Sequence, residues 1–474
     1  MSIKIDRIIV KNMFGKFNYD LKLDNGYDVS ILIAPNGCGK TTIFNILNFI
    51  FCPGPEGFEI IRNVPFDEFT CTLSNKAILK LKQENGEIVF IIIPDSSNIS
   101  INEIKLGFET TYFLGYSLQN NKMPSYDEFM EIKYKEYDGK SNHSNESVKN
   151  NYFRNRNNYF YWMHFFKDAN SYDQFTKPID NFKNYLKSVA DNLFVNYIPA
   201  NRLFFVNKDG EASDSLDKIN NEIKNSFGLI NETYRDNLLS AKDKIFEVFL
   251  GPDFEEGDYY KEIEASYDNV VKAVNEYIQK VINYNDLNLI EASDVINKSF
   301  KNIVDRICND FNKMPGSCNE SFDKSTLLKL SFINLYIKLF SETLGTFEDF
   351  YNRLKLFFEI LNRRNKITEK EFVFSKCDGI KFKVNDSFLS LKLLSSGEKN
   401  DLVMLYNLIF RSNNGGLVLI DEPEISLHIE WQETIIDTML EICKMNGLQA
   451  IIATHSPHIL NGRFDLLLEG GPTK

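Results

Sequence analysis

Ile31-Leu32-Ile33-Ala34-Pro35-Asn36-Gly37-Cys38-Gly39-Lys40-Thr41-Thr42 decides how this chain is read. An apolar, β-branched run from Val29 to Ile33 meets a glycine-rich loop, and a helical pattern follows from Thr41 to Phe51. Strand, loop and helix in that order are the setting a phosphate-binding loop needs. Gly37 and Gly39 let successive backbone N–H groups turn toward one centre, and the first turn of the helix adds unpaired N–H groups and a positive dipole end. On this reading Asn36, Gly37, Cys38, Gly39, Lys40, Thr41 and Thr42 cradle the phosphates. Lys40 reaches the outer phosphates and the Thr41 hydroxyl ligates Mg2+. Ala34 stands where the usual pattern opens with glycine, which predicts weakened but retained nucleotide binding. The plainer alternative is an ordinary strand-to-helix turn.

Two further apolar runs end in chemistry. Leu417-Val418-Leu419-Ile420 runs into Asp421-Glu422, as a buried parallel strand would with its acids at the carboxyl end, where ligands bind in open α/β sheets. Asp421 is the predicted second metal ligand, and Glu422 the group that orients or deprotonates an attacking water. Gln449-Ala450-Ile451-Ile452-Ala453-Thr454 ends in His455, a candidate contact to the terminal phosphate or the water. Between them in function, Leu394-Ser395-Ser396-Gly397-Glu398 precedes a helix beginning near Asp401. Its serines can cap that helix, and its N-terminus is a second anion site. Capping alone would also explain it.

In this order the phosphate loop, the Ser-Ser-Gly-Glu signature, the acidic strand and the histidine resemble the ABC-type ATPase heads of the SMC and OLD (overcoming lysogenization defect) proteins. The likeness covers roughly 1–110 and 370–470. It implies an α/β fold: an ABC-type P-loop NTPase head with a mixed sheet and helices, interrupted by a mainly helical insertion. It also implies ATP and Mg2+ as ligands and head-to-head dimers, in which Ser395, Ser396, Gly397 and Glu398 of one chain close on the ATP of the other. Lys40, Glu422 and His455 are then the catalytic set, and Thr41 and Asp421 the metal ligands. Glu424-Ile425-Ser426-Leu427-His428 falls where the family's dimer-contact loop falls. The family's glutamine loop has no clear counterpart, although Asn201 and Arg202 lie in its neighbourhood.

The expected division is 1–110 as the first half of the head, 111–190 as an irregular insertion and 191–212 as a returning strand. A helical insertion over 213–368 and the second half of the head over 369–474 complete it. Strands are predicted near 3–10, 17–23, 69–73, 77–81, 88–93 and 193–198, and a hairpin at Glu371–Phe374 and Ile380–Val384. Cys52-Pro53-Gly54-Pro55-Glu56-Gly57 reads as a helix stop. Helical spacing links Val270, Val271, Val274, Ile278 and Val281, and again Phe300, Ile303, Val304, Ile307 and Phe311. The ring-rich stretch Asn151–Trp162, with Arg154 and Arg156, could stack on bases; a buried aromatic face is the plainer account.

The chain has 474 residues, 43% hydrophobic and 25% charged, and a formal charge of −12, which disfavours a protein coated in nucleic acid. Its seven cysteines form no C-x-x-C pair, so neither a zinc site nor a disulfide framework is indicated. No run is long enough to span a membrane, and a cytoplasmic protein is expected. No nuclease motif or zinc hook is present. The expected role is therefore the ATPase subunit of an anti-phage system, resembling those of PARIS and Septu, that answers a phage-derived trigger and controls a separate nuclease or toxin. The alternatives are a nucleotide-locked scaffold with little turnover, or an SMC-like ATPase acting on DNA.

Overall fold

A computed structural model describes residues 3–23, 26–84, 86–94, 102–131, 165–166, 168–190, 193–206, 212–250, 267–287, 289, 324–385, 387–412, 415–425, 427–470 and 472–473. The sequence readings at Asn151–Trp162 and Phe300–Phe311 lie outside them, as does Ser426. The chain divides into two compact units, one of Met1–Ser215 with Ser395–Lys474 and one of Leu216–Leu394.

The first unit contains two sheets of different character. Strands β1 (Ile5–Met13) and β2 (Phe17–Lys22) form a hairpin. Strand β3 (Val29–Ile33) leads through the glycine loop into helix α1 (Lys40–Phe51), and helix α2 (Pro55–Arg62) follows. Strands β4 (Glu68–Leu73), β5 (Ile78–Glu84), β6 (Glu87–Ile93) and β7 (Asn102–Leu106) come next. The order β2-β1-β4-β5-β6-β7 makes a six-stranded sheet, antiparallel throughout. Its strands alternate buried and less buried residues, as in Ile88 to Ile93, because one face packs inward.

Helices α3 (Phe108–Asn120) and α4 (Ala169–Ala190) precede β8 (Val195–Ile198) and the short antiparallel pair β9 (Phe204–Val206) and β10 (Ala212–Asp214). After the second unit come α9 (Ser396–Phe410), β14 (Leu417–Asp421), α10 (Ile429–Asn446) and β15 (Gln449–Thr454). The second sheet runs β3-β15-β14-β8 and is parallel throughout. Every residue of β14 and β15 is buried, which is why these strands read as continuous apolar runs rather than alternating ones. One core cluster joins both sheets with α1, through Ile43, Phe44, Leu47 and Phe49 beside Ile8, Phe90, Leu419 and Ile451.

The second unit holds α5 (Ser215–Leu250), α6 (Tyr267–Asp286), α7 (Lys324–Gly345) and α8 (Glu348–Arg364), followed by the sheet β11 (Glu371–Ser375), β12 (Gly379–Val384) and β13 (Ser387–Leu389). Phe227 packs its ring against Phe347, Phe350 and Phe374, the last at 5.3 Å between centroids, tying the sheet to the helices.

Two expected segments look different in the structure, and a third reading holds with an addition. The helical insertion was ended at 368, but its unit runs to Leu394, because the β11–β12 hairpin packs on the helices through Phe374. Residues 111–190 are not simply irregular. Phe113, Phe166 and Tyr172 are buried in the core of the head, with Phe166 and Tyr172 rings 4.9 Å apart. The Pro-Gly segment after α1 does stop that helix, but Pro55 then starts α2 at a position where its missing N–H costs nothing.

Candidate active site

Parallel strands in one sheet open their carboxyl ends on the same edge, and this sheet places four loops there. β3 delivers the glycine loop, β14 ends at Asp421, β15 ends just before His455, and β8 leads to Arg202. Lys40, Thr41, Asp421, Glu422 and His455 are thereby brought together from three distant parts of the chain.

The loop has the predicted shape. Gly37 and Gly39 sit at φ 79° and 93°, in the left-handed region. A methyl group on Gly39 would collide with the Met13 sulfur and press on the Phe14 ring. The Tyr19 hydroxyl donates to the Cys38 carbonyl and fixes the turn from the side of the other sheet. No side chain caps α1 at Gly39, and no acid lies in its first turn, so the first-turn N–H groups suit an anion. Asn36 is exposed in the loop and Thr42 half-buried in that first turn. Buried Lys40 donates from Nζ to the Ala34 carbonyl at 2.8 Å, so the alanine still supplies its backbone acceptor.

The acids face this loop. Thr41 donates its hydroxyl to Asp421 Oδ2 at 2.6 Å. Lys40 Nζ lies 3.4 Å from Glu422 Oε1. The other Glu422 oxygen is 2.6 Å from His455 Nδ1 and accepts the His455 backbone N–H at 3.3 Å. Burial pushes the Asp421 carboxyl above the usual carboxylate range, against the pull of the Thr41 bond. Burial alone would raise Glu422 too, but hydrogen bonds from Glu424 and His455 and the Lys40 charge hold it low. Asp421 Oδ1 is buried without a hydrogen-bond partner among the described residues. A hydroxyl and a carboxylate with one spare oxygen form a hard, all-oxygen donor set, which fits Mg2+.

Sequence reasoning gave Thr454 no role, and put Arg202 and Glu424 near the site without foreseeing their burial. Glu424, within the expected contact loop, is buried, accepts the Thr454 hydroxyl, and lies 3.8 Å from His455 Nδ1. Burial raises its pKa, with the neighbouring Glu422 adding to the rise. Thr454 Oγ1 accepts the Ser456 N–H at 2.9 Å, which pins the turn carrying His455. Arg202 is 4% exposed and donates to the Pro423 carbonyl at 3.0 Å. A charged residue gives no hint in sequence that it will be buried. The one available signal for Arg202 was its place just past a strand of the parallel sheet.

The signature residues form a complete capping box. Ser395 accepts the Glu398 N–H at 3.3 Å while Glu398 Oε2 accepts the Ser395 N–H at 2.7 Å. Ser396 is exposed and Gly397 half-buried in the first turn of α9. The bonds that gather Lys40, Thr41, Asp421, Glu422 and His455 do not involve this turn.

The family profile described as "AAA ATPase domain" matches residues 3–460. The chain belongs to that family. The ATPase domain therefore spans both the loop and the acids, and the P-loop NTPase fold read from the sequence holds. Two curated relatives are similar to parts of it. The retron Ec83 probable ATPase of Escherichia coli is 30% identical over 154 residues, 29% of this chain and 26% of that protein. The retron Vc95 probable ATPase of Vibrio cholerae serotype O1 biovar El Tor is 26% identical over 226 residues, 43% of this chain and 41% of that protein. The matches thus span well under half the length of these relatives. Among solved structures, an SMC head bound to the C-terminal winged-helix domain of ScpA aligns with 99% of this ATPase and 97% of its own chain. It does so at 9% identity and a TM-score of 0.36. No helix among the described residues is long and apolar enough to cross a membrane.

Proposed function

We propose that this ATPase binds and hydrolyses ATP between two copies of its head, and that closure and turnover govern a separate effector in an anti-phage defence system. The meeting of Thr41 with Asp421, and of Lys40 with Glu422 and His455, carries the hydrolytic part. Backbone N–H groups of residues 37–42 would hold the phosphate oxygens. Lys40, now on the Ala34 carbonyl, has a short path to the terminal phosphate. Thr41 and Asp421 would hold Mg2+, which when bound neutralises phosphate charge and polarises the terminal phosphoryl group. Glu422, held below the usual carboxylate range by hydrogen bonds from Glu424 and His455 and by the Lys40 charge, is placed to accept a proton from the attacking water. His455 fixes the direction of that carboxylate.

The paired-head reading rests on the capping-box turn. Ser395, Ser396, Gly397 and Glu398 offer a helix N-terminus, and Gly397 leaves room for close backbone approach. The loop after β14, where a dimer contact is expected, exposes Ile425, His428 and Ile429. The defence setting is supported by the names of the two retron relatives, and the effector, a nuclease or toxin, is part of the same proposal. A phage-derived trigger would act by changing closure.

Phosphate release at steady state tests the chemistry. Glu422→Gln should keep ATP affinity within about threefold and slow turnover by at least about a hundredfold. Wild-type-like turnover in that variant would remove Glu422 from its role.

A further inference from the structure

We infer that Arg202 is a positioning residue for Glu422, and that it ties the conformation of that carboxylate to the helix opened by the signature turn. The inference rests on the hydrolytic reading above. Glu422 sits at φ 46°, in the left-handed region that a residue with a Cβ enters only against steric cost. Such a conformation persists only where the surroundings hold it. On one side the Glu422 N–H donates to the Ala453 carbonyl at 2.8 Å, an extension of the β14–β15 pairing. On the other side Arg202 Nη2 donates to the carbonyl of Pro423, the next residue. These two bonds fix the peptide unit before Glu422 and the one after Pro423, and the proline ring restricts the backbone between them, so the Glu422 side chain is aimed at Lys40 and His455.

Arg202 reaches this point because β8 pairs with β14 in parallel register, Val195 with Leu417 and Ile198 with Ile420. The segment after β8 therefore leaves the sheet beside the segment after β14. The Arg202 guanidinium is buried, and its Nε and Nη1 have no hydrogen-bond partner among the described residues. Helix α9 lies against β8, where Asn196 Nδ2 donates to the Asn407 carbonyl at 2.9 Å, and the guanidinium feels the charges of Asp401 on α9, Glu424 and Asp421. Asp401 is fully buried in the second turn of α9, directly after Ser395–Glu398. A buried guanidinium with two unused donors and an acid on α9 nearby is a linkage that can be tightened. Movement of α9 on closure would engage those donors and be felt at the Pro423 carbonyl. Lysine at this position keeps the charge but loses the planar fork that can bond the carbonyl and a carboxylate at once.

The test compares Arg202→Lys, Asp401→Asn and the double variant with the wild-type chain, by kcat and KM for ATP and by equilibrium binding of ATP. Each single variant is expected to lower kcat about tenfold or more, with KM and ATP affinity within about twofold. The double variant should lose little more than the worse single variant, because one linkage is broken twice. A kcat near wild type in Arg202→Lys overturns the inference, as does an equal loss of kcat and ATP affinity. Multiplying losses in the double variant overturn the tie to α9. If Arg202→Lys does not fold, the isosteric Asp401→Asn decides alone, and unchanged turnover in it counts against the inference. A wild-type chain that releases no phosphate defeats the hydrolytic reading instead, which the same assay reveals first.

Discussion

Single residues set the site by what they leave no room for. Gly37 and Gly39 share left-handed backbone, but only Gly39 is pressed by a neighbour, the Met13 sulfur. Gly37 faces open space. Gly37→Ala should therefore cost about 1 kcal/mol of backbone strain. Gly39→Ala adds a collision with a buried side chain and should cost about 2 kcal/mol or more. Urea unfolding of the two variants checks the order, and ATP binding should fall further in Gly39→Ala, since its strain lies at the phosphates. An equal effect of the two would mean that Met13 yields freely. Glu422 is the same kind of residue without the excuse of being glycine. Its backbone is held by the Ala453 carbonyl and, through Pro423, by Arg202, and in that conformation its carboxylate meets Lys40 and His455.

At the scale of elements, the two sheets are joined by a side chain rather than by strand pairing. Gln449, the first residue of β15, donates to the Ile5 carbonyl at 2.7 Å and accepts the Ile5 N–H at 2.8 Å. It is 4% exposed, so water cannot replace it. Gln449→Leu should orphan both groups of Ile5 and lower stability by about 2–4 kcal/mol. The expected signature is a lower denaturant midpoint with an unchanged slope. A variant as stable as wild type would show that the sheets are held by apolar packing alone.

Elements of this kind differ in how plainly the sequence announces them. β3, β14 and β15 were legible because strands buried on both faces are unbroken apolar runs, and the loop because glycines, lysine and threonine sit on a strand-to-helix junction. β7 was not, since Asn102-Glu103-Ile104-Lys105-Leu106 is a half-exposed edge strand with only one buried residue. α2 was hidden by the prolines and glycines that usually end a helix. Around the site, Lys40, Asp421, Glu422 and His455 could be named because each closes a recognisable pattern. The burial of Arg202 and Glu424 could not, since it depends on which strands become neighbours.

For the whole molecule, the paired-head reading makes turnover a property of two chains. Specific ATPase activity should rise with protein concentration and level off as heads pair. Glu422→Gln with ATP and magnesium should sediment as a larger species than it does without nucleotide. Activity independent of concentration, with one sedimenting species throughout, would confine the chemistry to a single chain. Ser395 would then be a helix cap and nothing more.

The strand order β3-β15-β14-β8 has a consequence for how the molecule is made. The two outer strands, at 29–33 and 195–198, leave the ribosome early, yet neither can pair with the other. Both wait for the inner strands at 417–421 and 449–454. During synthesis the glycine loop is thus attached to a strand with a bare edge, and the acids that face it do not yet exist. A nascent chain cannot assemble the nucleotide site until the last strand of the sheet, at 449–454, has been made.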